Sequence, residues 1–193
     1  SLVLLKNQNN VLPLKRETRK IVVVGENANS SGLQSGGWTI DWQGTEENYA
    51  GATTILEGIE KLAKGNVVYD ADATGLHRDA DVAIIVVGET PYAEFFGDIG
   101  TGEGIHQLTL TKAHQKYIDA YVHSGTPVVV VLISGRPLVV TDQIDRSDAF
   151  IAAWLPGSEG DGVAEVLFGV HNFKGKLPHS WPESEDDFKG KYG

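Results

Sequence analysis

Two stretches of the sequence concentrate side chains that could do chemistry. The first reads Ser35-Gly36-Gly37-Trp38-Thr39-Ile40-Asp41-Trp42-Gln43-Gly44. Indole rings stack on the C–H faces of sugars, and an indole N–H can donate to a hydroxyl. Two tryptophans beside glycines in a polar loop therefore suggest a sugar-facing surface, although both rings could instead plug the loop into a core. The second stretch reads Gly88-Glu89-Thr90-Pro91-Tyr92-Ala93-Glu94-Phe95-Phe96-Gly97-Asp98. It places the carboxyl groups of Glu89, Glu94 and Asp98 among aromatic rings. A desolvated carboxyl holds its proton to higher pH, which is what a general acid requires. The competing reading is a set of solvated surface charges, and the Tyr-Ala-Glu-Phe-Phe setting makes Glu94 the strongest exception to it.

Other chemistries lack their residues. The absence of cysteine removes disulfides, thiolate metal sites and a cysteine nucleophile. The six histidines show no metal-ligand spacing. Asp98 to Gly104 resembles a calcium loop only superficially, lacks the acidic spacing of an EF-hand, and reads more simply as a glycine-rich mobile loop. Gly25-Glu26-Asn27-Ala28-Asn29 follows an apolar run without the dinucleotide fingerprint or the P-loop lysine. No Gly-x-Ser-x-Gly elbow is present. No metal or cofactor is expected. The formal net charge of −10 argues against nucleic acid, which needs clustered cations. No apolar run reaches the ~20 residues of a membrane span.

The elements that must hold these loops alternate. Apolar runs at 21–25, 66–69, 82–88, 127–133 and 149–154 read as strands covered on both faces, because they are continuous rather than alternating. Helical patterns fill Thr53 to Lys64, Thr111 to Ser124 and Gly160 to Phe168, with Thr53 or Thr54 capping the first. The expected fold class is α/β, a mostly parallel five- or six-stranded sheet with helices on both faces, in a flavodoxin-like sandwich. With 193 residues the chain is expected to form one domain over residues 1–193. Two long structureless loops, Glu26 to Gly51 and Glu89 to Leu108, are expected at strand C-terminal ends, where open α/β sheets place ligands. The acidic tail after Pro182 is expected to be mobile.

Six segments in order carry a resemblance. They are Leu2-Val3-Leu4-Leu5-Lys6-Asn7 with Leu12-Pro13-Leu14, the Gly36–Gly44 stretch, Gly88–Glu94, Leu132-Ile133-Ser134-Gly135-Arg136-Pro137, Ala153–Gly160 and Gly175-Lys176-Leu177-Pro178. Together the chain resembles the second, C-terminal domain of glycoside hydrolase family 3, in its exo-β-glucanase and β-glucosidase branch. The resemblance implies that Glu94 is the general acid/base. It implies that Trp42 forms one wall of an aromatic clamp on the sugar beyond the scissile bond, with Trp38 beside it supporting the loop. Asp98, Ser134 and Arg136 fall on family motifs and read as scaffolding, with Arg136 in an ion pair.

The resemblance also implies partners. The ligand would be a β-glucan oligosaccharide or glucose. The nucleophilic aspartate would come from an N-terminal (β/α)8 barrel domain, which is not in this sequence. The opening Ser1-Leu2-Val3 without a methionine looks like a segment of something longer, so compartment stays open, though the parent family is often secreted or periplasmic. Two functions remain: half of a retaining glycosidase site, inactive alone, or a non-catalytic carbohydrate-binding or docking module. Turnover by the chain alone would demand a local nucleophile, with Asp98 or Glu89 first in line. A flavodoxin-like nucleotide binder is a third, weaker reading.

Overall fold

A computed structural model describes residues 2–99 and 107–188 of the chain. Among these residues six strands form one sheet: β1 (Val3–Asn7), β2 (Lys20–Val24), β3 (Asn66–Asp70), β4 (Val82–Gly88), β5 (Val128–Ile133) and β6 (Ala149–Trp154). Their order is β1-β6-β5-β4-β2-β3. All neighbours are parallel except β1, which pairs antiparallel with β6. The sixth strand is thus the segment 3–7, not among the five apolar runs read as strands. At the sheet edge its residues after Val3 are only half-buried.

Among the described residues five α-helices accompany the sheet: α1 (Ser31–Ser35), α2 (Ile55–Leu62), α3 (Lys112–Ser124), α4 (Thr141–Arg146) and α5 (Gly160–Leu167). Side chains alternate along each strand, so one apolar run feeds two cores. Ile21, Val23, Ile84, Val86, Val129 and Val131 meet Ile55 and Ile59 of α2 and Val163 and Leu167 of α5. Val22, Val24, Ile85, Val130, Leu132 and Phe150 meet Ile118 and Tyr121 of α3. Each fully buried aliphatic side chain contributes about 1.5–3 kcal/mol. That double burial is why the central strands contain almost no polar residue.

Local chemistry sets the helix ends. Thr54 caps α2 through a reciprocal box: its hydroxyl accepts from the Glu57 N–H at 3.2 Å, and the Glu57 carboxylate accepts from the Thr54 N–H at 2.7 Å. Thr111 caps α3, and Gly125, at φ 77°, ends it in the left-handed conformation that glycine tolerates best.

The segment 26–51 is not structureless. A 3-10 turn at Glu26–Asn29 leads into α1, and Asn27, Ser31, Leu33 and Gln34 are buried. The Gln34 amide donates to the carbonyls of Thr53 and Gly157 and accepts from the Ile55 N–H. A short polar helix of this kind has no periodicity to read; its stability comes from those tertiary hydrogen bonds. The acidic tail carries an exposed 3-10 turn at Glu185–Phe188, where the Asp187 carboxylate accepts from the N–H groups of Glu183 and Ser184. Gly100 to His106, most of the expected calcium-like or glycine-rich loop, lies outside the described residues.

Candidate active site

The sheet changes winding direction at β2. The chain passes from β2 to β3 on one side and then to β4 on the other. Crevices outside the carboxyl ends of strands at such a reversal are where open α/β sheets bind ligands. The two chemistry-bearing loops leave from the ends of β2 and β4. Between them lies a cavity of about 440 Å³ bordered by Glu26, Asn27, Glu89, Thr109, Lys112 and His114.

Above that base the first loop closes on itself. The Trp38 N–H donates to the Trp42 carbonyl at 2.9 Å, and the Gly44 N–H donates to the Asp41 carbonyl at 3.0 Å. Trp38 and Ile40 take positive φ, 59° and 64°, which costs about 1–3 kcal/mol each. Backbone strain at bulky residues persists only where surroundings enforce it. The second loop packs against the glycines on either side of this segment. A Cβ on Gly37 would collide with the Tyr92 carbonyl, and one on Gly44 would collide with Pro91. The glycines let two backbones approach more closely than side chains would allow.

This approach joins the expected site residues. The Trp42 indole N–H donates to Glu94 Oε2 at 2.7 Å. The Trp42 ring lies 6.4 Å from that of Trp38 and meets Phe95 edge-on at 6.2 Å. Trp38 is 70% exposed and Trp42 43%, so neither ring plugs a core. With Phe95 they form an exposed aromatic cluster beside the Glu94 carboxyl, and Phe96 and Ile40 are exposed on the same two loops.

The expectation of a raised pKa at Glu94 is corrected. Its carboxyl is exposed, and the Trp42 hydrogen bond, with a backbone amide, holds it below the ordinary carboxylate range. The carboxyl pushed up is Glu89, whose side chain is 6% exposed; desolvation outweighs the pull of Arg136. Sequence proximity to aromatics could not separate the two, because Phe95 and Phe96 point outward. Replacing Trp42 by phenylalanine removes the N–H but keeps a ring. The Glu94 carboxyl is then expected to titrate at higher pH, toward its ordinary value, when followed by carbon-13 NMR of the side-chain carboxyl. An unchanged midpoint would show that the indole is not the cause.

Beneath the loop Arg136 acts as the expected ion-paired scaffold. Its Nε donates to Glu89 Oε1 at 2.9 Å, its Nη1 donates to the Gly97 carbonyl at 2.7 Å, and its guanidinium lies 4.2 Å from the Tyr92 ring centre. Burial and the Glu89 charge push the Tyr92 hydroxyl up to about 12. Ser134, buried, begins the turn that carries Arg136, its N–H donating to the Trp154 carbonyl. Asp98 is exposed at the loop's far end. Sequence reading missed two groups. Gln43 bonds to the backbone of both Ala93 and Glu94, at 2.7 and 3.1 Å. A buried His114 pairs with Glu26 at 2.7 Å beside the cavity. Desolvation pushes Glu26 up, but the His114 hydrogen bond and a backbone amide outweigh it and leave it lowered. Among the described residues no cluster of three or more His, Asp or Glu could hold a metal ion, and no helix is long and apolar enough to cross a membrane.

Comparison with known proteins matches residues 2–193 to the glycosyl hydrolase family 3 C-terminal domain. The chain belongs to glycoside hydrolase family 3. It is 32% identical to a lysosomal beta glucosidase of Dictyostelium discoideum, over all of this chain and 26% of that protein. It is 30% identical to a periplasmic beta-glucosidase of Salmonella typhimurium, over 95% of this chain and 27% of that one. Among solved structures, an exo-1,3/1,4-beta-glucanase from a Pseudoalteromonas species superposes with a TM-score of 0.77 at 44% identity, covering 86% of this chain and 21% of the other. A beta-glucosidase from Listeria innocua in complex with isofagomine superposes with a TM-score of 0.77 at 28% identity, over 95% of this chain and 26% of that one. The chain therefore spans about a quarter of the length of these relatives. Its fold is that of the family's C-terminal domain in β-glucosidase-like enzymes.

Proposed function

We propose that this family 3 domain supplies the general acid/base of a retaining β-glucosidase or exo-β-glucanase, and part of the subsite for the sugar on the leaving-group side. The observation that carries the reading is the 2.7 Å bond between Trp42 and Glu94, which unites a stacking surface and a proton carrier at one point. Glu94 in its acid form donates a proton to the glycosidic oxygen. An aspartate from a (β/α)8 barrel domain attacks the anomeric carbon, and the C–O bond to the leaving sugar breaks. Glu94, now a carboxylate, takes a proton from water; the water oxygen bonds to the anomeric carbon and the aspartate is released. The two carboxyl groups of such a site stand ~5–5.5 Å apart. The lowered Glu94 pKa of this domain suits the second step. Protonation for the first step follows if the barrel covers Glu94, since desolvation and a neighbouring aspartate both raise a carboxyl pKa.

The exposed rings Trp38, Trp42 and Phe95 also fit a module that binds glucan or docks a barrel without doing chemistry. Turnover separates the two readings. The domain alone is expected to release no chromophore from an aryl β-glucoside, whereas the domain combined with a family 3 barrel is expected to release it. Hydrolysis by the domain alone would point to a local nucleophile and overturn the two-domain reading. A combination that binds but never turns over would leave the binding module.

A further inference from the structure

Gln43 makes a contact that Trp42 and Glu94 do not explain. Its side-chain oxygen accepts the Ala93 N–H at 2.7 Å, and its side-chain nitrogen donates to the Glu94 carbonyl at 3.1 Å. One amide thus bridges the two backbone groups that flank the Ala93–Glu94 peptide unit. The residue before Gln43 is Trp42, whose N–H holds the Glu94 side chain. Backbone and side chain of Glu94 are therefore both tied to two consecutive residues of the opposite loop.

The loop needs such a tie. Residues 94–96 are exposed, and Phe95 takes a positive φ of 72°. The turn is otherwise closed by its own backbone, Phe96 N–H to Glu94 O and Gly97 N–H to Ala93 O, and by Arg136 at the Gly97 carbonyl. The Gln43 side chain reaches the backbone at both 93 and 94 from the opposite loop. Gly37 and Gly44 bring the loops close enough for that short amide to reach.

We propose that Gln43 is a positioning residue: it locks the Glu94 carboxyl to the Trp42 ring, so that the proton donor and the wall for the leaving sugar keep one geometry while substrate comes and goes. The proposal rests on the reading of Glu94 as acid/base. Gln43 needs no contact with the sugar for this. A shift of about 1 Å in a catalytic group costs on the order of 10²-fold in rate.

The test uses a protein carrying this domain together with the nucleophile-bearing barrel. Gln43→Met keeps the side chain's length and removes both hydrogen bonds. Its kcat/KM on an unactivated β-glucan oligomer is expected to fall about 10–100-fold, within that positional limit. On a dinitrophenyl β-glucoside, whose leaving group departs without a proton, kcat/KM is expected to stay within about twofold, because that step draws no help from general acid catalysis. The limb of the pH profile that belongs to Glu94 is expected to move up as the Trp42 bond loosens. Gln43→Glu keeps the acceptor for Ala93 but lacks the donor, and is expected to fall between wild type and Gln43→Met on the oligomer. Equal losses on both substrates, or none on either, would overturn the positioning role. If Gln43→Met does not fold, an oligomer rate for Gln43→Glu equal to wild type does the same. Glu94→Gln run in parallel separates the failures: if it too leaves oligomer hydrolysis intact, the acid/base reading falls rather than Gln43 alone.

Discussion

Glu94→Gln, in a protein that joins this domain to the nucleophile-bearing barrel, is expected to slow hydrolysis of an unactivated β-glucan oligomer by about 10²–10⁴-fold, the usual cost of losing a general acid. The substitution suits the question. Glutamine keeps the shape, and its amide oxygen still accepts the Trp42 N–H that Glu94 Oε2 accepts now. Loss of rate then reports loss of the proton and not of the loop. A substrate with a leaving group of low pKa should still form the glycosyl-enzyme, because that step needs no proton. Its release by water should remain slow, because the base is gone. Added azide, a nucleophile that brings no proton to remove, should restore release and give a glycosyl azide. The pH profile carries a second reading. The acid form must persist into the working range, so the basic limb of kcat/KM should lie above the midpoint at which Glu94 titrates in the isolated domain, where Trp42 holds it low. Near-normal turnover of the oligomer by Glu94→Gln would remove Glu94 from its role.

The second large effect is on folding. Arg136→Met is expected to destabilise the domain by about 3 kcal/mol at pH 7, the low end of what breaking a buried ion pair costs, since 21% of the Arg136 side chain remains exposed. The loss should shrink toward pH 4. Glu89 already sits above the ordinary carboxylate range in the folded domain. A carboxyl raised by folding favours the protonated folded state, so its contribution is present below the unfolded value of about 4.3 and lost as pH rises through the folded value. Without Arg136 the folded value climbs further, and the gap between variant and wild type opens only as Glu89 ionises. Urea unfolding at the two pH values measures this. Equal losses at both would assign the effect to packing of the guanidinium on Tyr92, 4.2 Å away, rather than to charge.

Much of this molecule follows from the chain read residue by residue, for identifiable reasons. The runs at 82–88 and 128–133 are strands because each must be apolar on both faces, and a motif of that kind is local. Thr54 and Gly125 mark helix ends through bonds and dihedrals within a turn of themselves. The edge strand at 3–7 and the helix at 31–35 escaped that reading. Their partners, β6 and the chain around Thr53, Ile55 and Gly157, lie far along the sequence, and nothing in their own spacing announces them.

The candidate site divides the same way. The order of its motifs, the adjacency of Trp38 and Trp42, and the presence of carboxyl groups beside aromatics were all legible, because residue type and spacing are properties of the chain itself. Which carboxyl would be buried was not. Glu89 lies under Arg136 and Tyr92, whereas Glu94 faces outward against an indole, so their pKa values move in opposite directions. Nor could spacing reveal that Gln43 spans to the backbone of another loop. Desolvation and hydrogen-bond geometry depend on what two distant segments bring within about 3 Å of one another, and only the folding of the sheet decides that.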